Sequence, residues 1–260
     1  MINKTVTTKL VGGLGNFMFQ IAALYGYAFR NGYTPAVTLQ GTFPVHNTFD
    51  TYREDIFQKI IPVDLPLSKF QRYEEPSFNY QEIPLCEGDL LLDGYFQSEK
   101  YFEHCKQFIR ELFTPSRKAE ALHLFKHYEG MTLCSLHVRR GDYLQKQQYH
   151  PIQPLEYYHQ AMSNMPGDTK YLVFSDDIEW CKTAFKGEEF FFVEGNKDSD
   201  DLLLMSCCTH NIIVNSTFSW WGAWLNENLD KKVIAPKKWF GSAYSHYNTQ
   251  DIYCPDWIVI

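Results

Sequence analysis

The residues best suited to chemistry stand in three short runs. In His137-Val138-Arg139-Arg140-Gly141-Asp142-Tyr143, two guanidiniums directly follow an apolar segment. A guanidinium stays charged at any working pH, and its fork matches phosphate oxygens two at a time. Two of them at the end of a buried strand are costly unless something anionic meets them. Gly141 permits close approach of backbone or ligand. Asp142 is either a base or the internal partner of one arginine, and a structural ion-pair cluster is the plain alternative for the whole run. The second run, Ser175-Asp176-Asp177, suits the cap and first turn of a helix. A carboxylate there also fits the two parallel N–H donors on the edge of guanine, a part open to Asp176. Two adjacent acids point in different directions, so no metal site is expected. The third run is Asn215-Ser216-Thr217-Phe218-Ser219-Trp220-Trp221-Gly222. Small hydroxyls at a helix start gather free N–H groups toward one point, which makes an anion site. Capping by Ser216 alone, with Trp220 and Trp221 in the core, is the alternative.

A fourth run, Gly12-Gly13-Leu14-Gly15-Asn16, lies near the N-terminus. It is not a phosphate loop of the Gly-Lys-Ser/Thr kind. It starts like Gly-x-Gly-x-x-Gly, but Met18 holds the third glycine's place, so a dinucleotide site is weakly supported. The turn still lets backbone approach a ligand. Guanidiniums, a carboxylate and a hydroxyl-lined helix start together fit a nucleoside diphosphate better than any one of them alone. Arginine and helix N–H groups would then carry the charge of a leaving diphosphate without a magnesium cage or any cofactor.

The elements that must position these runs alternate along the chain. Val6–Val11 reads as a strand, and a helix from about Phe17 to Arg30 places Phe17, Ile21, Leu24 and Ala28 on one face. Pro35–Leu39 reads as a strand, and residues 41–88 show too little periodicity to assign. A helix is expected from a Ser98 cap, with Phe102, Cys105, Ile109 and Leu112 on one face, and another between Pro115 and Gly130. Strands at Thr132–Val138, Lys170–Phe174, Glu189–Val193, Asn211–Val214 and Lys232–Ala235 then alternate with helices after Pro154 and at Ile178–Phe185, Asp201–Thr209 and Phe218–Glu227. Short apolar strands alternating with helices predict a doubly wound α/β domain, whose ligands bind at the carboxyl ends of the strands. All three chemical runs of the C-terminal half lie just after a strand.

Composition narrows the function classes. The chain has 260 residues, 45% of them hydrophobic and 21% charged, which is a globular balance with enough length for a real core. Its net charge of −7 argues against a nucleic-acid partner but leaves room for a local basic pocket. Seven cysteines without a Cys-x-x-Cys pair read as reduced and mostly buried. The first residues lack a secretory apolar core, and no 18-residue apolar run crosses a membrane, so a cytoplasmic protein is expected. Aromatics reach 17%, mostly as core with some capacity to line a sugar site.

The segment from His137 to Tyr143 resembles the His-x-Arg-Arg-x-Asp-Tyr signature of the α-1,2-fucosyltransferases of glycosyltransferase family 11. Gly12 to Asn16 with Met18-Phe19-Gln20, Gly94 to Phe102, Phe174 to Asp177 and Asn215 to Gly222 resemble other motifs of that family in the same order. The resemblance implies a GT-B-like α/β architecture with two Rossmann-like domains facing a cleft. The expected bounds are 1–125 for an acceptor-side domain, 126–240 for a GDP-sugar domain, and 241–260 for a tail packing back on the body. It implies GDP-β-L-fucose as donor, a galactoside glycan as acceptor, inversion in one displacement, and no required metal. Residue by residue, Arg139 and Arg140 would hold the diphosphate, with Arg139 the more critical. His137 would sit by the nucleoside, Asp176 would read guanine, and Ser216, Thr217 and Ser219 would cradle phosphate. Gly13 and Gly15 would approach the donor, and Asn16 would face the reacting sugar from the opposite domain. Asp142 is the chosen base, with a diphosphate oxygen or a water near Asn16 as rivals. Phe17 departs from the family's usual Gln, and Leu144–Pro151 matches no family segment and is assigned to the acceptor side. Animal members carry a membrane anchor that this chain does not show, as in a bacterial-type or viral form. A transferase for another nucleotide sugar or acceptor is the alternative, and a non-catalytic carbohydrate-binding protein a remote one.

Overall fold

The structure, a computed structural model, describes residues 4–115, 128 and 130–260. Two compact units are formed, Met1–Pro115 with Tyr247–Cys254, and Ser116–His246 with Pro255–Ile260. The first unit ends ten residues before the expected 125, because α2 stops at Phe113 and Thr114, extended at ψ 114°, precedes a proline. The residue before proline is steered out of the helical region. The second helix expected before Gly130 falls largely outside the described residues. Nor is 241–260 a single tail, since its residues are shared between the units.

The first unit is built on β1 (Thr5–Thr8), β2 (Val11–Gly12), α1 (Leu14–Asn31), β3 (Thr34–Pro35), β4 (Phe43–Pro44), β5 (Gln71–Glu74), β6 (Leu90–Asp93) and α2 (Lys106–Phe113). Its main sheet is parallel in the order β3-β1-β6-β5, and β2 pairs with β4 apart from it. The strand expected over Val6–Val11 is therefore split in two. The one expected over Pro35–Leu39 shrinks to Thr34–Pro35, and beyond it the Val37 carbonyl accepts from the Val63 N–H. Helix α1 is buried nearly all round, including Phe17, Ile21, Leu24 and Ala28. A helix apolar on every side belongs inside. It closes at Gly32 in the left-handed region, just past the Arg30 end expected for it. Ser98 does cap, but it caps a 3-10 turn at Glu99–Tyr101 by accepting from the Lys100 N–H, and α2 begins only at Lys106. Strand β6, central in the sheet, was not legible as a strand because Leu90-Leu91-Leu92 is too short to show a period.

The second unit carries β7 (Leu133–Val138), α3 (Leu155–Ser163), β8 (Lys170–Ser175), α4 (Ile178–Ala184), β9 (Phe190–Phe192), α5 (Asp198–Cys207), β10 (His210–Ile212), α6 (Thr217–Trp224), β11 (Val233–Ala235) and β12 (Ile258–Val259). All six strands are parallel in the order β9-β8-β7-β10-β11-β12. Counted within the unit this is 3-2-1-4-5-6, the Rossmann order, whose ligand crevice opens where the order reverses. That switch point lies between β7 and β10. The alternation of β7 sends Cys134, Leu136 and Val138 into one core layer and Leu133 into the other. Trp220 and Trp221 are fully buried, as the core reading expected. All seven cysteines are free thiols. No helix among the described residues is long and apolar enough to cross a membrane.

Candidate functional site

Strand β7 lies between β8 and β10, so its exit at Arg139 is flanked by the exit of β8 at Asp176 and that of β10 at Asn215. Arg139 reaches Asp142 through Nη2 at 2.7 Å and Asp176 through Nη1 at 3.1 Å, and its guanidinium lies 5.4 Å from the Tyr143 ring centre. Arg140 donates its backbone N–H to Asp176 at 2.8 Å and its Nε to Asp177 at 2.9 Å. Its guanidinium stacks 4.1 Å from the Trp180 ring centre. Lys146 completes the cluster at 3.1 Å from the other oxygen of Asp142. A methyl group at position 141 would overlap the Asp176 carboxylate, so only glycine lets the β8 exit come this close.

Three cations and three carboxylates thus neutralise one another, as the plain ion-pair reading anticipated. The arrangement still separates the two arginines. Arg140 is fixed by stacking and by an acid that also caps α4, since Asp177 accepts from the Trp180 N–H at 3.3 Å. Arg139 is held by side-chain ion pairs and the more distant Tyr143 ring, with a quarter of its side-chain surface open, and an incoming anion can compete for its fork. Asp142 is tied on both oxygens. Burial raises its pKa, but Lys146 and Arg139 outweigh that and hold the carboxyl below its usual range. A carboxylate so stabilised is a poor proton acceptor.

His137 is buried beside Phe218 of α6, with ring centres 5.6 Å apart. Its Nδ1 is buried without a hydrogen-bond partner. Burial, helped by the Arg139 charge, lowers its pKa to about 3. The unfolded chain therefore takes up this proton first on acidification, and stability is lost as pH falls from about 6.5 toward 3, at up to about 1.4 kcal/mol per pH unit. Denaturant titrations at pH 7 and 5 should show a smaller acid loss in His137→Asn than in the parent. An equal loss in both would place the proton uptake elsewhere.

At the β10 exit, Ser216 precedes α6 without a side-chain cap, and Ser216 and Thr217 are half-buried. Ser219 is not with them. It is buried, accepting from the Val214 N–H and donating to the Ser216 carbonyl at 3.4 Å each. Its hydroxyl braces the turn. The Tyr143 hydroxyl spans the switch point to the Asn215 carbonyl at 3.1 Å, while the Asn215 side chain bonds Gln153 and Pro151. The Leu144–Pro151 loop is fastened by His150 stacking on Tyr143 and by backbone bonds from Gly241 and Ala243.

In the first unit, Gly13 caps α1 and Gly15 is buried in its first turn. Gly12 takes φ +100°, and a Cβ there would overlap the Asn16 side chain. Asn16 accepts from the Gln97 amide at 3.0 Å. Gln20, fully buried, bonds Val11 and the Gly94 carbonyl at 3.1 Å. Phe17 is core, so its departure from the usual Gln changes packing and not an exposed surface. Sequence alone gives Trp180, Gln20 and Gln97 no part in the site, because each is placed by a partner 40 or more residues away, whereas Lys146 meets Asp142 four residues before it.

The glycosyl transferase family 11 model matches residues 2–260. The chain is 34% identical over 203 residues to the O-antigen biosynthesis glycosyltransferase WbnK of Escherichia coli, covering 72% of this chain and 66% of that protein. It is 33% identical over 276 aligned positions to an α-1,2-colitosyltransferase of Escherichia coli, with 90% and 92% covered. A galactoside α-(1,2)-fucosyltransferase 1 of Leontocebus fuscicollis is 28% identical, and the match takes in 63% of its length. The chain thus spans just under two thirds of the first and third of these relatives. Among solved structures, NodZ α-1,6-fucosyltransferase soaked with GDP-fucose superposes with a TM-score of 0.54 at 18% identity, over 86% of this chain and 92% of that one. That likeness concerns the fold, a GT-B pair of α/β units with parallel sheets. With the family model running from end to end over the motif-bearing strand exits, the chain belongs to glycosyltransferase family 11.

Proposed function

We propose that this chain transfers L-fucose from GDP-β-L-fucose to the 2-hydroxyl of a β-galactoside, with inversion and without a metal. One observation carries the reading: the Arg139 fork, the Asp176 carboxylate and the start of α6 stand on three adjacent strand ends at a Rossmann switch point. On donor binding, the diphosphate takes the Arg139 fork from its carboxylates and meets the first N–H groups of α6 and the hydroxyls of Ser216 and Thr217. Arg140 stays on Trp180 and shapes the floor, and the orphaned Nδ1 of His137 fits a nucleoside contact. The acceptor oxygen attacks the anomeric carbon as the bond to the diphosphate breaks, and charge grows on the departing β-phosphate where Arg139 is placed to receive it. Asp142 serves this reaction by holding Arg139, because its ion pairs weaken it as a base. The proton then leaves to a diphosphate oxygen.

The relation to an α-1,2-colitosyltransferase favours one second reading, in which another sugar rides on the same nucleotide. Both are tested by following GDP release with a panel of nucleotide sugars and β-galactosides in EDTA. Turnover with GDP-fucose, unchanged by EDTA, is expected. Turnover only with a different donor selects the second reading. No turnover with any pair, and no thermal shift with GDP, overturns both.

A further inference from the structure

The first sheet has a switch point of its own, between β1 and β6. Asn16 stands in the first turn of α1, which follows β2 just beyond β1, and the turn Gly94–Gln97 leads from β6. Two glutamine amides lock them together, Gln20 to the Gly94 carbonyl and Gln97 to the Asn16 side chain. What holds the turn itself is Glu75, one residue past the end of neighbouring β5. Its Oε2 accepts the Tyr95 N–H at 2.7 Å and the Phe96 N–H at 3.0 Å, and its Oε1 accepts the Phe96 N–H at 3.1 Å with the Tyr101 hydroxyl at 3.5 Å. Phe96 sits at φ +51°, the one described non-glycine residue in the left-handed region. Such a conformation persists only where the surroundings over-determine it. Gly94 makes the approach possible, since a Cβ there would overlap Glu75.

We infer that Glu75 is a positioning residue for Asn16, holding the Gly94–Gln97 turn in the one conformation that brings the Gln97 amide onto the Asn16 side chain. Both oxygens of Glu75 are engaged, with the Tyr95 and Phe96 N–H groups of the turn and with the Tyr101 hydroxyl, as suits a residue that fixes the turn. The consequence for transfer rests on the part given to Asn16 above, but the placement of Asn16 does not.

The test has a structural arm and a kinetic arm. In ¹⁵N spectra of the full chain, the Asn16 side-chain amide signals should move in Glu75→Ala to where they lie in Gln97→Leu. Asn16 signals unmoved by Glu75→Ala overturn the proposal whatever the activity. In the kinetic arm, Glu75→Ala should lower kcat for transfer about 10- to 100-fold, the scale of a misplaced reacting group, with the donor KM within about twofold. Glu75→Gln, which keeps one acceptor oxygen for Phe96, should recover part of the rate, and it replaces the alanine variant should that fail to fold. Glu75→Ala with Gln97→Leu should be no slower than the worse single variant, as for residues acting in one chain. Additive losses, or a loss confined to donor KM, overturn the proposal. A parent protein with no transferase activity overturns the functional reading instead, and the spectra still decide the placement.

Discussion

Arg139→Ala should lower fucosyl transfer by about 10²–10³-fold, the usual cost of removing one preorganised donor from a developing charge. The fold should survive. Without Arg139, Asp142 keeps its ion pair with Lys146, and Asp176 keeps the Arg140 backbone N–H. A partly exposed ion pair is worth about 1 kcal/mol or less, so the thermal midpoint should move by only a few degrees. Arg139→Lys restores the charge but not the fork, and should recover little of the rate. Steady-state rates with GDP-fucose, beside thermal melts with and without GDP, measure both parts. A variant that melts normally and keeps more than a tenth of the parent rate would remove Arg139 from the diphosphate site.

Asp176→Ala should weaken GDP binding by about 10- to 100-fold, as expected for hydrogen bonds to a charged acceptor at about 1.5–3 kcal/mol each. It should also narrow the preference for guanine over uracil and adenine nucleotides. In the proposed reading, base and diphosphate recognition are linked through Asp176. In the free protein Asp176 Oδ2 faces Arg139 Nη1 at 3.1 Å, while Oδ1 takes the Arg140 N–H. A diphosphate that draws the Arg139 fork away releases Oδ2 for the paired donors of guanine. Asp177 cannot substitute, since its oxygens cap α4 and hold Arg140. Calorimetric titrations of GDP, UDP and ADP against the parent and the variant decide it. Uniform weakening with the guanine preference intact would confine Asp176 to its ion pair.

The two units differ in how much of them could be read from the chain. In the second unit, five strands were legible because each is an apolar run bounded by polar turns, and Arg139, Asp176 and Ser216 follow their strands directly. There, chain order alone places functional groups at strand exits. The first unit was harder. Strand β6 is three leucines between acids, and β2, β3 and β4 are two residues each, too short for a period of two to emerge. The inward turn of Ser219 was also invisible, because a hydroxyl at a helix start can face solvent or the preceding strand end with the same local sequence.

Sequence by itself determined the residue types at each strand exit, the alternation that buries β7 on both faces, and the motifs shared with family 11. These are local or contiguous properties, carried by periodicity and by neighbours along the chain. Tertiary structure alone decided which exits are neighbours. The order β9-β8-β7-β10-β11-β12 puts the Arg139 exit between those of Asp176 and Asn215, and β3-β1-β6-β5 puts the start of α1, with Asn16, beside the Gln97 turn. Periodicity states which face a side chain takes, but not which strand lies alongside. That choice is made by hydrogen-bonded pairing between segments 36 to 84 residues apart, such as Arg140 with Asp176 and Thr8 with Leu92, and by the closure of both faces under helices.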